Sequence, residues 1–104
     1  MNRLAALAGL LTLFTQEAEA QTMGSVGLGR DLAQRWCSSC HIVGQEGRFM
    51  TDVPPSFFAI ASRSSTTAIS LSVFLQTPHV EMPNFRLTAD QTHDIIAYIL
   101  SLRS

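Results

Sequence analysis

The segment Cys37-Ser38-Ser39-Cys40-His41 constrains the fold of this chain more than any other part of the sequence. Two thiols three positions apart can each add to a vinyl group of one porphyrin, and the adjoining imidazole can then reach the iron. The segment therefore predicts one covalently attached haem c per chain, with Cys37 and Cys40 as attachment sites and His41 as an iron ligand. The chain has two cysteines, so attachment would use both of them.

Three other uses of the cysteine pair compete with haem attachment. A thiol-disulfide redox motif needs a strand-helix-strand setting, and no run of alternating or β-branched residues supplies one. A zinc site could add His41, His79 or His93 to the two thiolates, but a second close pair of ligands is missing. A structural disulfide across a gap of two residues on a helix would be strained. Haem attachment is the interpretation that the residues favour.

Residues 1–20 have the pattern of a secretory signal peptide. Asn2 and Arg3 give a polar, positive start, an apolar stretch covers 4–14, and Ala18-Glu19-Ala20 offers a small-residue cleavage site. The apolar stretch is too short to span a bilayer. We therefore predict a mature domain over 21–104 with no membrane span. It would work in the periplasm or another extracytoplasmic compartment, where a lone cysteine pair should not persist as free thiols.

The predicted mature chain is short and has no net charge. Its length suffices for one domain but hardly for an adequate apolar core, a deficit that a buried porphyrin would fill. Six arginines balance six acidic residues after position 20, and lysine is absent. Such a surface argues against nucleic acid as a partner and against binding through a basic patch. Docking to a protein stays open.

The spacing of apolar residues predicts an all-α fold with three main helices and a short one, and no strand is required. The haem motif would occupy the last turn of the first helix. A glycine-containing loop over 42–53 ends at Pro54-Pro55, and Pro78 ends the third helix. The predicted helices run from Val26 to Ser39, from Phe57 to Ala61, from a cap at Thr66 or Thr67 to Gln76, and from a Thr88–Gln91 capping box to about Leu102.

The last two helices have expected buried faces with three- and four-residue spacing. The inward residues would be Ile69 or Leu71, Val73 and Phe74 in the third helix, and Thr92, Ile95, Ile99 and Leu102 in the last. Between these helices, residues 78–85 contain too many prolines for a helix or a central strand. This segment should form a constrained surface loop, and it carries Met82.

The order of these features resembles the class I cytochrome c family, here its bacterial monohaem members, over nearly the whole of 21–104. The resemblance implies a cytochrome c fold in which the helices pack around one covalently bound haem. It implies that His41 is the proximal ligand and Met82 the distal one, a pair that favours reduced iron and a high potential. His79 is the rival for the sixth position. Met23 and Met50 are interpreted as spare apolar residues.

The same resemblance implies further contacts of the cofactor and of the helices. A prolyl carbonyl, from Pro55 or alternatively Pro54, would accept the other N–H of His41 and fix its ring. Arg63 has the spacing of an arginine that approaches a buried haem propionate in the family, and a solvated surface charge is the alternative. Phe74 stands where many members have tryptophan, so an indole hydrogen bond to the propionate should be absent.

A close helix crossing is the last structural implication of the resemblance. Gly29 and Ala33 would let the last helix approach near Tyr98.

The implied function is single-electron transfer between larger redox partners through an exposed haem edge. Docking to the donor and the acceptor would be transient, and the protein itself would not be an enzyme. The protein would be a monomer or, alternatively, a permanent subunit of a dehydrogenase complex. A haem sensor of small ligands or a peroxide-active cytochrome is the other alternative. The absence of lysine departs from mitochondrial members, so docking should depend on apolar contact with a few arginines.

Overall fold

A computed structural model describes residues 24–49 and 53–103 of the 104-residue chain. The predicted signal peptide over 1–20, Met23 and Met50 lie outside the described residues. Within them the protein has four α-helices, one 3-10 helix and no strand, which confirms the all-α prediction. The elements in chain order are α1 (Val26–Trp36), a 3-10 helix (Gln45–Phe49), α2 (Phe57–Ser62), α3 (Ala68–Gln76) and α4 (Ala89–Ser101).

Side-chain caps start all four α-helices. Thr67 begins α3 with a capping box to Ser70, and the predicted capping box of α4 is confirmed, with Thr88 and Gln91 exchanging two hydrogen bonds. The hydroxyl of Ser25 accepts the backbone N–H of Leu28 and caps α1. Each cap satisfies a backbone donor that the first helical turn leaves unpaired. The predicted start of α3 is thereby resolved in favour of Thr67.

The end of α1 differs from the prediction, because the helix stops at Trp36 and not at Ser39. The N–H of Ser38 donates to the carbonyl of Ala33 at 3.1 Å, one residue further back than an α-helix requires. The Ser38 hydroxyl takes the carbonyl of Gln34 that this N–H would have used. The cysteine motif therefore lies in a separate turn after the helix.

The 3-10 helix corrects the prediction of an open loop between Ile42 and Val53. The N–H of Gly47 donates to the carbonyl of Gly44 at 3.2 Å, and the Gly47 carbonyl accepts the hydroxyl of the buried Ser56 at 3.1 Å. These two bonds tighten the segment and attach it to the start of α2. The predicted short helix α2 is confirmed and extends one residue further, to Ser62.

Helices α1 and α4 cross at Gly29, as the family resemblance implied. A Cβ at position 29 would overlap the backbone carbonyl of Asp94 and lie 2.9 Å from the Cβ of Tyr98. Ala33, one turn later, is fully buried. The backbone N–H of Ser25 also donates to the Asp94 carboxylate at 2.7 Å. The small residues of α1 thus allow the closest approach between two helices that are distant in sequence.

The buried core confirms the predicted face of α4 and corrects that of α3. In α3 only Leu71 is buried, while Val73 is 61% and Phe74 is 44% exposed. Helix α3 is apolar on several sides, so residue spacing could not identify the side that faces α4. The buried apolar residues are Leu32, Ala33, Val43, Phe57, Ala61, Leu71, Ile95, Ile96, Tyr98, Ile99 and Leu102, and Thr92 is buried with them. No helix among the described residues has the length and apolar character needed to cross a membrane.

Candidate functional site

The cysteine motif forms a hydrogen-bonded turn directly after α1. The N–H groups of Cys40 and His41 both donate to the carbonyl of Cys37, at 3.2 and 2.9 Å. Cys37 is half-buried and Cys40 is exposed. Burial raises the pKa of the Cys37 thiol. Cys37 therefore faces the protein, whereas Cys40 lies on its surface.

The imidazole of His41 is oriented by Pro55. Its Nδ1 lies 2.6 Å from the Pro55 carbonyl oxygen, which can only accept, so Nδ1 carries the hydrogen. The ring also packs 5.4 Å from the ring of the buried Phe57. Nε2 has no hydrogen-bond partner among the described residues, so in the neutral imidazole its lone pair is available. This is the arrangement by which proteins present a histidine to a metal.

Met82 lies at the end of a tight turn that starts at His79. The N–H of Met82 approaches the carbonyl of His79 at 3.4 Å, and Glu81 between them has a φ of 69°, in the left-handed region that non-glycine residues seldom adopt. His79 is attached to the end of α3. Its ring stacks on Phe74 with centroids 3.7 Å apart, and its Nε2 donates to the Phe74 carbonyl at 3.1 Å.

An apolar cleft lies between the turn of the cysteines and the Met82 loop. Trp36 and Phe85 stack on each other in its wall, with centroids 6.1 Å apart and planes inclined by 12°. No lining residue carries an acidic or basic group other than His79 and the Cys37 thiol. The lining residues are Trp36, Cys37, Phe74, Leu75, Thr77, His79, Met82, Pro83, Asn84, Phe85, Leu87 and Ile95.

The structure brings some of the predicted site residues together at this cleft. Cys37, Met82 and the rival ligand His79 line it, while Cys40 and His41 belong to the adjoining turn without lining it. Pro55 stands behind His41. These positions are compatible with the predicted roles, which stay predictions.

Arg63 lies away from the cleft. It caps the end of α2 and is exposed, and it lines a second, polar cavity together with Arg103. Arg103 donates to the carbonyls of Ala61 and Thr66 there. The predicted contact of Arg63 with a haem propionate stays a prediction.

The residues of the cleft fit a haem c. Most of its lining residues are apolar or aromatic, which suits the porphyrin of a haem. A thiol and a thioether reach its wall, and the neighbouring imidazole has a free lone pair. No group of three or more His, Cys, Asp or Glu side chains in 24–49 and 53–103 is placed to hold a metal ion.

Sequence reasoning did not identify several of the cleft residues. Phe85 and Leu87 follow Met82 in a loop without periodicity, and Leu75 was not distinguished from its apolar neighbours on α3. The stacking of His79 on Phe74 joins a loop residue to a helix end, and no sequence pattern marks it. The sequence signal for Phe85 is that it is an aromatic residue close to the Met82-Pro83 pair.

Comparison with known proteins gave one relevant relative. The chain is 37% identical over 94 residues to a protein named cytochrome c-552 from Bradyrhizobium diazoefficiens, and the aligned region covers 90% of both chains. No family model matches the chain. No solved structure matches it.

Proposed function

The chain belongs to the monohaem c-type cytochromes, and we propose that it is an extracytoplasmic single-electron carrier. Its haem c would be attached at Cys37 and Cys40 and ligated by His41 and Met82. One observation carries this proposal. Cys37 of the attachment motif and Met82 of a distant loop line the same apolar cleft. An imidazole with a free Nε2 lies in the adjoining turn, so all the required ligand types are within one region.

When bound, the haem accepts and releases one electron at a time. The Pro55 carbonyl holds the hydrogen on Nδ1 of His41, which would leave Nε2 to bind the iron and would increase its basicity. Met82 would supply a soft thioether that favours the reduced state, and the apolar cleft disfavours additional charge. Both effects would raise the reduction potential. Two strong ligands, His41 and Met82, would also keep the iron coordination nearly constant between oxidation states.

Electron exchange would take place where the cleft reaches the surface. Phe74 and Phe85 line the cleft and are 44% and 39% exposed, and Val80 on the Met82 turn is 93% exposed. Exposed apolar side chains and the absence of lysine favour brief docking to redox proteins by apolar contact. The donor and the acceptor would use the same surface in turn.

Residues 1–20 would direct the chain out of the cytoplasm and be removed before Gln21. The mature chain would then begin three residues before Gly24, whose backbone packs closely against α4: a Cβ at this position would lie 2.7 Å from the backbone nitrogen of Asp94.

The test is the visible spectrum of the purified, reduced protein, produced with haem-attachment machinery, before and after addition of carbon monoxide. We expect a c-type haem spectrum that the gas leaves unchanged, because Met82 occupies the sixth position. Met82→Ala should bind carbon monoxide and lower the potential by on the order of 100 mV, within the ~0.8 V range that axial ligands span. Met50→Ala is the matched control and should behave as the wild type.

Two outcomes would overturn the proposal. A colourless protein would exclude haem attachment at Cys37 and Cys40. The second outcome is a wild-type spectrum that shifts with carbon monoxide together with an unchanged potential in Met82→Ala. This result would exclude Met82 as a ligand and indicate an accessible iron suited to ligand sensing or peroxide chemistry.

A further inference from the structure

We propose that His79 is a positioning residue that anchors the Met82 turn to the end of α3, and that Phe74 is its anchor point. This inference rests on the proposed function, because it assumes that Met82 is the sixth ligand. His79 has one ring face against Phe74, with centroids 3.7 Å apart and planes inclined by 15°. The same imidazole donates from Nε2 to the Phe74 carbonyl at 3.1 Å.

The double contact explains why His79 is an anchor and not a ligand. Its Nε2 carries the hydrogen that the Phe74 carbonyl accepts, so this nitrogen is not available to a metal ion. Both contacts go to a single residue at the last turn of α3, which ends at Gln76. The imidazole is therefore held by the ring and the backbone of Phe74.

The turn itself needs such an anchor. Glu81 has a φ of 69°, which is unfavourable for a residue with a side chain, and the hydrogen bond that closes the turn from Met82 to His79 is long at 3.4 Å. Val80 is 93% exposed and contributes almost no burial. Interactions within the turn thus hold Met82 weakly. The contacts of His79 with α3 attach the turn to the rest of the protein.

Binding of added imidazole to the oxidised holoprotein measures how often the Met82 turn opens. Imidazole can bind the iron only when Met82 has left it, so its apparent affinity rises with the open fraction. Loss of the ring stack in Phe74→Ala should raise this affinity by about tenfold. His79→Ala loses the hydrogen bond as well and should raise it further. Phe74→Tyr keeps the stack and should behave as the wild type.

Two control variants separate anchoring from general stability. Val73→Ala removes an exposed side chain next to Phe74 that does not line the cleft. Ser25→Ala removes the cap of α1, far along the chain from the Met82 turn. Both should leave the affinity for imidazole unchanged, although Ser25→Ala lowers the stability of the whole domain.

The outcomes distinguish this inference from the proposed function. If the wild type binds imidazole as tightly as Met82→Ala does, Met82 is not a ligand and the proposed ligation fails. If the wild type binds imidazole more weakly than Met82→Ala does, the ligation by Met82 stands. If Phe74→Ala and His79→Ala then bind imidazole as weakly as the wild type, the anchor is refuted. An increase in Ser25→Ala as large as that in Phe74→Ala would also refute it, since opening would then follow global stability.

Discussion

Replacing Gly29 by alanine tests the helix crossing on which the whole fold depends. The new Cβ would overlap the carbonyl carbon and oxygen of Asp94 and approach the Cβ of Tyr98 to 2.9 Å. These obstacles are the backbone of α4 and the first atom of a buried side chain, and neither can be moved by a rotamer change. Helices α1 and α4 would have to separate by on the order of 1 Å.

The expected cost follows from two opposing effects. Overpacking a well-filled core costs about 1–3 kcal/mol. Alanine in place of glycine inside a helix contributes about 1 kcal/mol of helix propensity. Because the clash at position 29 involves backbone, we expect the upper part of the overpacking range and a net loss of about 2 kcal/mol. For a domain of this size the melting temperature should fall by roughly 10 °C.

The assay is guanidinium-induced unfolding of the holoprotein, followed by far-ultraviolet circular dichroism. Gly27→Ala is the matched control, because it lies in the same helix and its Cβ would meet only the Ser25 hydroxyl, at 3.9 Å. This control should be more stable than the wild type by up to about 1 kcal/mol. If both alanine variants are stabilised alike, the close crossing at Gly29 does not limit packing and the reasoning fails.

Three further predictions concern residues outside the cleft. Tyr98→Phe should lose about 1–2 kcal/mol, because the Val43 carbonyl loses the hydroxyl that donates to it at 2.5 Å inside the core; a variant as stable as the wild type would contradict this. Burial raises the pKa of Tyr98 in the folded state, so the unfolded state should release this proton at a lower pH than the folded state does. The wild type should therefore lose stability above about pH 10, and Tyr98→Phe should not show this loss. Ser25→Ala should lose about 1 kcal/mol with the cap of α1, measured by the same unfolding assay.

Those parts of the fold that depend on local rules could be predicted from the sequence. Thr88 and Gln91 mark the start of α4 because a capping box needs only residues within one turn. The buried face of α4 was evident because polar residues occupy the other side of that helix. Helix α3 lacks such contrast, so Val73 was assigned to the core although it is exposed. Burial there depends on where α4 lies, which local spacing does not encode.

The candidate site shows the same division. The cysteine motif with His41 is contiguous, and Met82 was distinguished by the proline after it. The attachment of His79 to Phe74 and the wall residue Phe85 come from tertiary packing, and no spacing rule predicts either. Helix α1 ends early because the Ser38 side chain competes for the carbonyl of Gln34. Average helix propensities do not reveal such a specific side-chain hydrogen bond.

The contact between α1 and α4 also determines the order in which the chain can fold. The hydrogen bond from Ser25 to Asp94 joins residues 69 positions apart, so the crossing cannot form until nearly the whole domain has been synthesised. Until then α1 has no partner, and Cys37 and Cys40 follow an unpacked segment. If haem is attached at Cys37 and Cys40 as proposed, both thiols would be accessible to an attachment enzyme before the fold can close, and attachment would precede folding.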